Sequence, residues 1–238
     1  MKDGKTLIVP MDHGVSKPVS GIENIGRVLR EIDGVADAVV LHKGIAKKVE
    51  YVEEMESSLI IHLSGSTSLI SPNEKVLVSS VEKALKLGAD AVSVHVNLGS
   101  YTERIQLRDL GMVSEICDDW GIPLLAMVYP RGKGIEERDP ELVKHCVRVA
   151  SELGADIVKT AYTDGRSFPE IVEFSEIPVV IAGGSRKGEE ELLREVKEAM
   201  ESGASGVAIG RNVFQNENPG RLARLLREIV HGGSIQSG

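Results

Sequence analysis

The sequence predicts an α/β fold, a single closed (β/α)8 TIM barrel built on a parallel sheet, and three observations carry that prediction. Eight short apolar runs recur along the 238 residues, most rich in Val and Ile and apolar on both parities, the pattern of strands covered on both faces. Amphipathic segments separate most of them, so strands and helical patterns alternate as βαβ units. The helix-to-strand joints also repeat, as Leu87-Gly88-Ala89-Asp90, Leu153-Gly154-Ala155-Asp156 and Ser202-Gly203-Ala204-Ser205. Glycine just past a helix takes the left-handed conformation without a Cβ penalty. One joint used several times favours a symmetric barrel over a doubly wound open sheet, and the chain length is near the ~250 residues typical of the barrel.

In order, the expected strands are 7–11, 38–41, 59–63, 91–96, 123–128, 157–160, 178–182 and 206–209. The clearest helical patterns are 73–87, 140–153 and 188–201. No linker or low-complexity stretch interrupts them, so 1–238 reads as one barrel domain, with the tail 232–238 expected to fray. Hydrophobic residues make up 42% of the chain and aromatics only 3%, so branched aliphatics must fill the barrel interior.

Charge and cysteine usage narrow the function. A net charge of −8 argues against a broad nucleic-acid surface, which needs a basic face. Cys117 and Cys146 are the only cysteines, too few for a disulfide scaffold, so they read as inert buried thiols in a reducing cytoplasm. No run approaches 18 apolar residues, so no membrane span is expected, and the N-terminal Met-Lys-Asp-Gly-Lys-Thr has no signal-peptide core.

In this fold chemistry belongs at the C-terminal strand ends, and the polar residues gather there. Asp12 and His13 close the first run, His42 and Lys43 the second, His62 and Ser64 the third, and His95 and Asn97 the fourth. Tyr129 and Arg131 close the fifth, Lys159 and Tyr162 the sixth, Gly183-Gly184-Ser185 the seventh, and Gly210-Arg211-Asn212 the eighth. Lys159 is the most informative, because lysine is almost never buried without a partner or a purpose. A buried lysine near other cations loses its proton easily and can attack a carbonyl; the bland alternative is a structural ion pair with Asp12. Asp12 and Tyr129 share the inward parity of their strands and could shuttle protons for a Schiff base, or merely cap a helix and pack a ring. Gly183, Gly184, Gly210 and Arg211 suit a phosphate cradle after strands 7 and 8, helped by a following helix N-terminus, or the glycines simply turn the chain. The four strand-end histidines could hold a metal, but a first-strand His-x-His is missing. Adjacent residues point to opposite faces, so Asp12 and His13 should not both face inward.

Taken together, Val9-Pro10-Met11-Asp12-His13-Gly14-Val15-Ser16, Leu41-His42-Lys43-Gly44, Ile61-His62-Leu63-Ser64-Gly65, Tyr129-Pro130-Arg131-Gly132, Ile157-Val158-Lys159-Thr160-Ala161-Tyr162 and Gly210-Arg211-Asn212-Val213-Phe214 resemble the archaeal-type class I aldolase family over nearly the whole chain. The resemblance implies a Schiff base on Lys159, a proton donor at Tyr129 and a proton acceptor at Asp12. It further implies substrate or phosphate contacts from His13, Gly14, Val15, Ser16, Pro130, Arg131, Gly183, Gly184, Gly210 and Arg211. It needs no metal and no cofactor; the expected partners are a phosphorylated ketose and an aldehyde, with neither nucleic acid nor membrane, in a homo-oligomer. The branch that cleaves fructose bisphosphate typically carries Trp two residues before the tyrosine; here that residue is Met127, which resembles the branch that transfers a three-carbon ketone unit to an aldehyde. Relatives usually carry a helix before the first strand, where this chain begins almost at the strand. A phosphate-binding barrel without catalysis is the alternative of a different class.

Overall fold

In a computed structural model, which describes residues 3–232, eight parallel strands close into a barrel in chain order. They are β1 (Thr6–Pro10), β2 (Ala38–Leu41), β3 (Ser58–His62), β4 (Ala91–Leu98), β5 (Leu124–Pro130), β6 (Ile157–Thr160), β7 (Val179–Ala182) and β8 (Gly206–Ala208). Each lies within two residues of its expected run. Closure brings β8 against β1 with Thr6 opposite Gly206. A Cβ on Gly206, whose φ is +144°, would sit 2.0 Å from the Thr6 carbonyl oxygen, so the seam needs glycine.

The ring of helices comprises α1 (Ile25–Ile32), α2 (Lys43–Ala46), α3 (Val81–Leu85), α4 (Glu103–Trp120), α5 (Pro140–Glu152), α6 (Phe168–Phe174), α7 (Glu189–Glu201), α8 (Arg211–Phe214) and α9 (Pro219–His231). Local chemistry starts them: the Asp139 carboxylate accepts from the Glu141 and Leu142 amides ahead of a helix opened by Pro140, satisfying donors that a helix start leaves over. Leu, Ile and Val side chains fill the interior, and Cys117 and Cys146 are buried. Burial pushes the Cys117 thiol up to about 12, so it stays protonated.

The repeated joints have a function beyond the helix stop. Gly88, Gly154 and Gly203 all take positive φ. The aspartate that follows then reaches under the preceding strand: the Leu59 amide donates to Asp90 Oδ2 at 2.8 Å and the Leu124 amide to Asp156 Oδ2 at 2.7 Å. Asp37 does the same for Leu7 at 2.7 Å. Each satisfies an amide in the first two residues of a strand, so the barrel bottom is stapled by one device used three times.

Two expectations need correction. The helix expected over 73–87 exists only as Val81–Leu85; residues 66–75 form a loop, and Val76–Leu77 pairs antiparallel with Ser64–Gly65. Pro72-Asn73 breaks the helical pattern and β-branched Val76 and Val78 favour extended backbone. Strand β1 also ends at Pro10, and Asp12–Val15 is a 3₁₀ turn, so strand parity does not govern Asp12 and His13. The tail from 233 onward lies outside the described residues. Among the described residues, no helix is long and apolar enough to cross a membrane.

Candidate active site

The C-terminal strand ends surround a cavity of about 510 Å³ whose lining includes Asp12, Lys75, Tyr129, Arg131, Lys159 and Arg211. Strand register places them. Lys159 on β6 lies beside Met127 on β5 and Val180 on β7, and Tyr129, opposite Asn97 on β4, sits one inward position further along β5 than Met127.

Lys159 is 8% exposed. Burial pushes its amine down to about 8, with Arg131 and Arg211 adding to the shift and the Asp12 carboxylate opposing it. Desolvation disfavours the ammonium and neighbouring cations repel it. A structural ion pair with Asp12 does not form: the ion-pair contacts of Asp12 run to His13 Nδ1 and His62 Nε2, both at 3.7 Å. Burial works against the Asp12 charge, but the histidines and Lys159 outweigh it and hold the carboxyl well below the usual range. It is a carboxylate at neutral pH. His62 is driven down to about 4 by burial, so it faces Asp12 as a neutral ring, its other nitrogen 2.8 Å from Ser93 Oγ.

Tyr129 is 3% exposed, and burial pushes its phenol well above 10, partly countered by Arg131. It holds its proton throughout the physiological range. The Arg131 guanidinium lies 4.1 Å from the ring centroid, within cation–π range, and its fork is closed by Glu137 at 2.6 and 3.0 Å.

The two glycine loops form the wall after β7 and β8, next to the strand of Lys159. Gly184 has φ +65°. A Cβ on Gly210 would meet the Pro10 carbonyl oxygen at 2.2 Å, and one on Gly183 would press into Ile209, so close packing of these loops against β1 and β8 requires glycine, and all three glycines line the cavity. Buried Asn212 ties them, donating to the Gly183 and Ser185 carbonyls at 3.2 and 3.3 Å and accepting from the Lys187 amide. Arg211 donates to the Gly184 carbonyl at 2.7 Å and lines the cavity. A helix follows each loop: α8 begins at Arg211 with Gly210 as its N-cap, and α7 begins at Glu189 with an acidic first turn of Glu189, Glu190 and Glu191.

Of the residues expected to contact substrate, His13, Ser16, Pro130, Arg131, Gly183, Gly184, Gly210 and Arg211 line the cavity together with the three catalytic candidates. Gly14 and Val15 do not. The 3₁₀ turn rotates successive positions by roughly a third of a circle, which sends Val15 to the surface at 40% exposure and turns Gly14 toward Ile22. Asp12 and His13 both reach the cavity for the same reason. His42, His62 and His95 form an edge-on row with centroids 5.3 and 6.4 Å apart. Among the described residues, no three His, Cys, Asp or Glu side chains converge as metal ligands.

Sequence reasoning missed Lys75 and Asn73, which enter the cavity from the loop after β3. The helix assigned to 73–87 left them out of the strand-end set; Pro72-Asn73 was the signal that a loop begins there. Lys43, by contrast, is exposed and donates to the Val78 carbonyl.

A family model for DeoC/LacD family aldolases matches residues 6–216. The 2-amino-3,7-dideoxy-D-threo-hept-6-ulosonate synthase 1 of Archaeoglobus fulgidus is 54% identical over 233 residues, covering 98% of this chain and 88% of that protein. The 2-amino-4,5-dihydroxy-6-oxo-7-(phosphonooxy)heptanoate synthase of Streptomyces griseus is 48% identical over 238 residues, covering 98% and 87%. Among solved structures, an archaeal fructose-1,6-bisphosphate aldolase with its catalytic Lys covalently bound to the carbinolamine intermediate of the substrate superposes with a TM-score of 0.88 at 35% identity, covering 97% of this chain and 96% of that one.

Proposed function

This chain belongs to the DeoC/LacD family of aldolases, and from that premise we propose that it is a Schiff-base 2-amino-3,7-dideoxy-D-threo-hept-6-ulosonate synthase. It moves a three-carbon ketone unit from a phosphorylated ketose, 6-deoxy-5-ketofructose 1-phosphate, to L-aspartate 4-semialdehyde, on the route to 3-dehydroquinate. The observation that carries the reading is the buried Lys159 amine, with no carboxylate in ion-pair contact among the described residues and its proton loosened to about 8, in one cavity with a carboxylate at Asp12 and a protonated phenol at Tyr129.

The chemistry follows from those three groups. The neutral Lys159 amine attacks the donor ketone carbon, and the carbinolamine loses water to give an iminium. The carbon–carbon bond then breaks with its electron pair drawn to the nitrogen, leaving an enamine on Lys159 and releasing an aldehyde. Asp12 accepts and Tyr129 donates the protons of dehydration and cleavage. The enamine carbon attacks the acceptor aldehyde, and water hydrolyses the new iminium to free product and lysine. Gly183, Gly184, Gly210 and Arg211 hold the phosphate through backbone N–H groups and a guanidinium.

Met127 supports the synthase over a fructose-bisphosphate aldolase. It is buried, 2% exposed, and lines the cavity where the bisphosphate branch typically carries Trp. The test is borohydride reduction with a ketone phosphate followed by peptide mass analysis, paired with product analysis. Label on Lys159 and consumption of aspartate 4-semialdehyde with the deoxyketohexose phosphate are expected. Efficient cleavage of fructose 1,6-bisphosphate without that transfer reverses the assignment of substrate. The reading also places the enzyme in the cytoplasm, where its two buried thiols stay reduced, and as a homo-oligomer, supported by Leu69 and Ile70, which are 92% and 96% exposed.

A further inference from the structure

We infer that Lys75 is the specificity residue for the acceptor, its ammonium taking the carboxylate of the amino-acid aldehyde that receives the three-carbon unit. The inference rests on the transferase reading above and names the group that recognises its second substrate.

Position comes first. In a barrel closed in chain order, β3 faces β7 across the axis. Lys75 enters from the loop after β3, while the glycine loops follow β7 and β8, so the two anion-binding elements stand on opposite sides of the cavity. Lys159 on β6 and Tyr129 on β5 lie between them along the wall. The product named for the Streptomyces griseus relative carries a phosphate beside its ketone and the amino-acid carboxylate at its far end; with that phosphate at Gly184 and the ketone carbon at Lys159, the carboxylate end extends toward Lys75.

Charge comes second. Lys75 is 7% exposed and still lines the cavity. Its Nζ donates to Ser66 Oγ at 2.8 Å, and that hydroxyl donates to the Pro72 carbonyl at 2.8 Å. Among the described residues no carboxylate pairs with it. Its cationic neighbour Arg131 is closed off by Glu137, and Lys187 is paired with Glu195. Lys75 is thus a buried ammonium with one neutral partner and two donors to spare. Burial without a counter-charge is costly, and here it loosens the proton to about 8. An anionic ligand supplies the missing charge.

Rigidity comes third. The Asn73 carbonyl accepts from Asn97 Nδ2 at 2.9 Å and from Gln106 Nε2 at 2.8 Å, and the Glu74 carboxylate accepts from the Thr102 amide at 2.8 Å. The residues just before Lys75 are pinned to β4 and α4, so its ammonium is presented in place before ligand arrives. The products named for the two synthase relatives carry an amino-acid carboxylate at one end, the group that a lone lysine recognises as a point charge.

The experiment uses the intact enzyme with Lys75→Met, which keeps the length and removes the charge, and with Lys75→Arg, which restores it. Dihydroxyacetone phosphate plus borohydride should label Lys159 in wild type and in Lys75→Met alike, which shows that the barrel and the Schiff base are intact. The KM for aspartate 4-semialdehyde in Lys75→Met should rise roughly 10–100-fold, the loss of one charge-assisted hydrogen bond, with kcat within about threefold and most of the loss recovered by Lys75→Arg. Calorimetric binding of L-homoserine, the alcohol analogue of the acceptor, should weaken by the same factor, a readout that needs no chemistry. An unchanged acceptor KM and homoserine affinity in a variant that labels normally overturns the assignment. So does label on Lys75, or an effect confined to glyceraldehyde 3-phosphate as acceptor. Absence of label on Lys159 in wild type instead overturns the Schiff-base reading, while homoserine binding still reports on Lys75.

Discussion

The two ends of the barrel treat buried charge in opposite ways. At the bottom, Asp37, Asp90 and Asp156 each accept a strand amide, and Asp37 also takes Arg227 at 2.9 Å and His231 at 2.8 Å. Those carboxylates are satisfied, and they add stability. At the top, Lys159 and Lys75 are buried without an ion pair among the described residues, and both amines are held at about 8. Groups left with open valence cost stability and provide reactivity; a fold that separates the two roles by end can vary one without losing the other.

The sharpest way to break this contrast is to delete a charge at the top. Lys159→Ala should abolish turnover, and so should Lys159→Arg, because a guanidinium stays protonated. Lys159→Met fills the same space without the charge, and its melting temperature should equal or exceed that of wild type. Residual turnover in these variants, or a large drop in melting temperature for Lys159→Met, removes the distinction between the ends. Tyr129→Phe should slow turnover by ~10²–10⁴-fold with ketone binding largely kept; single-turnover kinetics separate the two quantities.

Smaller effects sharpen the comparison. Arg211→Ala should raise the KM of a phosphorylated donor by the equivalent of about 1.5–3 kcal/mol and leave unphosphorylated analogues unaffected; equal effects on both would detach Arg211 from phosphate. At the other end, Asp156→Ala strands the Leu124 amide and should cost ~1–3 kcal/mol in denaturant unfolding, with kcat unchanged within experimental error. A loss of kcat without loss of stability there would contradict the division of labour.

The gentlest probe is pH. The reactive form of Lys159 is the neutral amine, so kcat/KM should climb about tenfold per pH unit on the acid side and level off near 8. The folded-state value lies below the ordinary 10.5, so between about 8 and 10.5 the unfolded chain binds more protons than the folded one. Stability therefore rises with pH across that window. Lys159→Met should flatten part of the rise, leaving the share due to Lys75; a profile without that change would mean that Lys159 titrates normally.

Much of this was written in local sequence. Alternating apolar runs and amphipathic segments sufficed for eight strands in order, because burial on both faces demands Val and Ile at successive positions, as in Val39-Val40-Leu41. The Gly-Ala-Asp joints were legible as helix stops, because positive φ is a single-residue property. Lys159 stood out because a lysine inside an apolar run has no solvent to explain it. What local pattern could not decide were the properties that depend on distant partners. The aspartates of the joints look like turn residues until closure brings the Leu59 and Leu124 amides over them. Parity pointed Asp12 and His13 apart, but β1 ends at Pro10 and a 3₁₀ turn brings both to the cavity while sending Val15 outward. Lys75 fell within the helical pattern expected over 73–87, and only the loop held by Asn97, Gln106 and Thr102 carries it inward. Periodicity records which face of an element is buried; it holds no information about which charges meet across a closed barrel, because that is set by the packing of strands far apart in the chain.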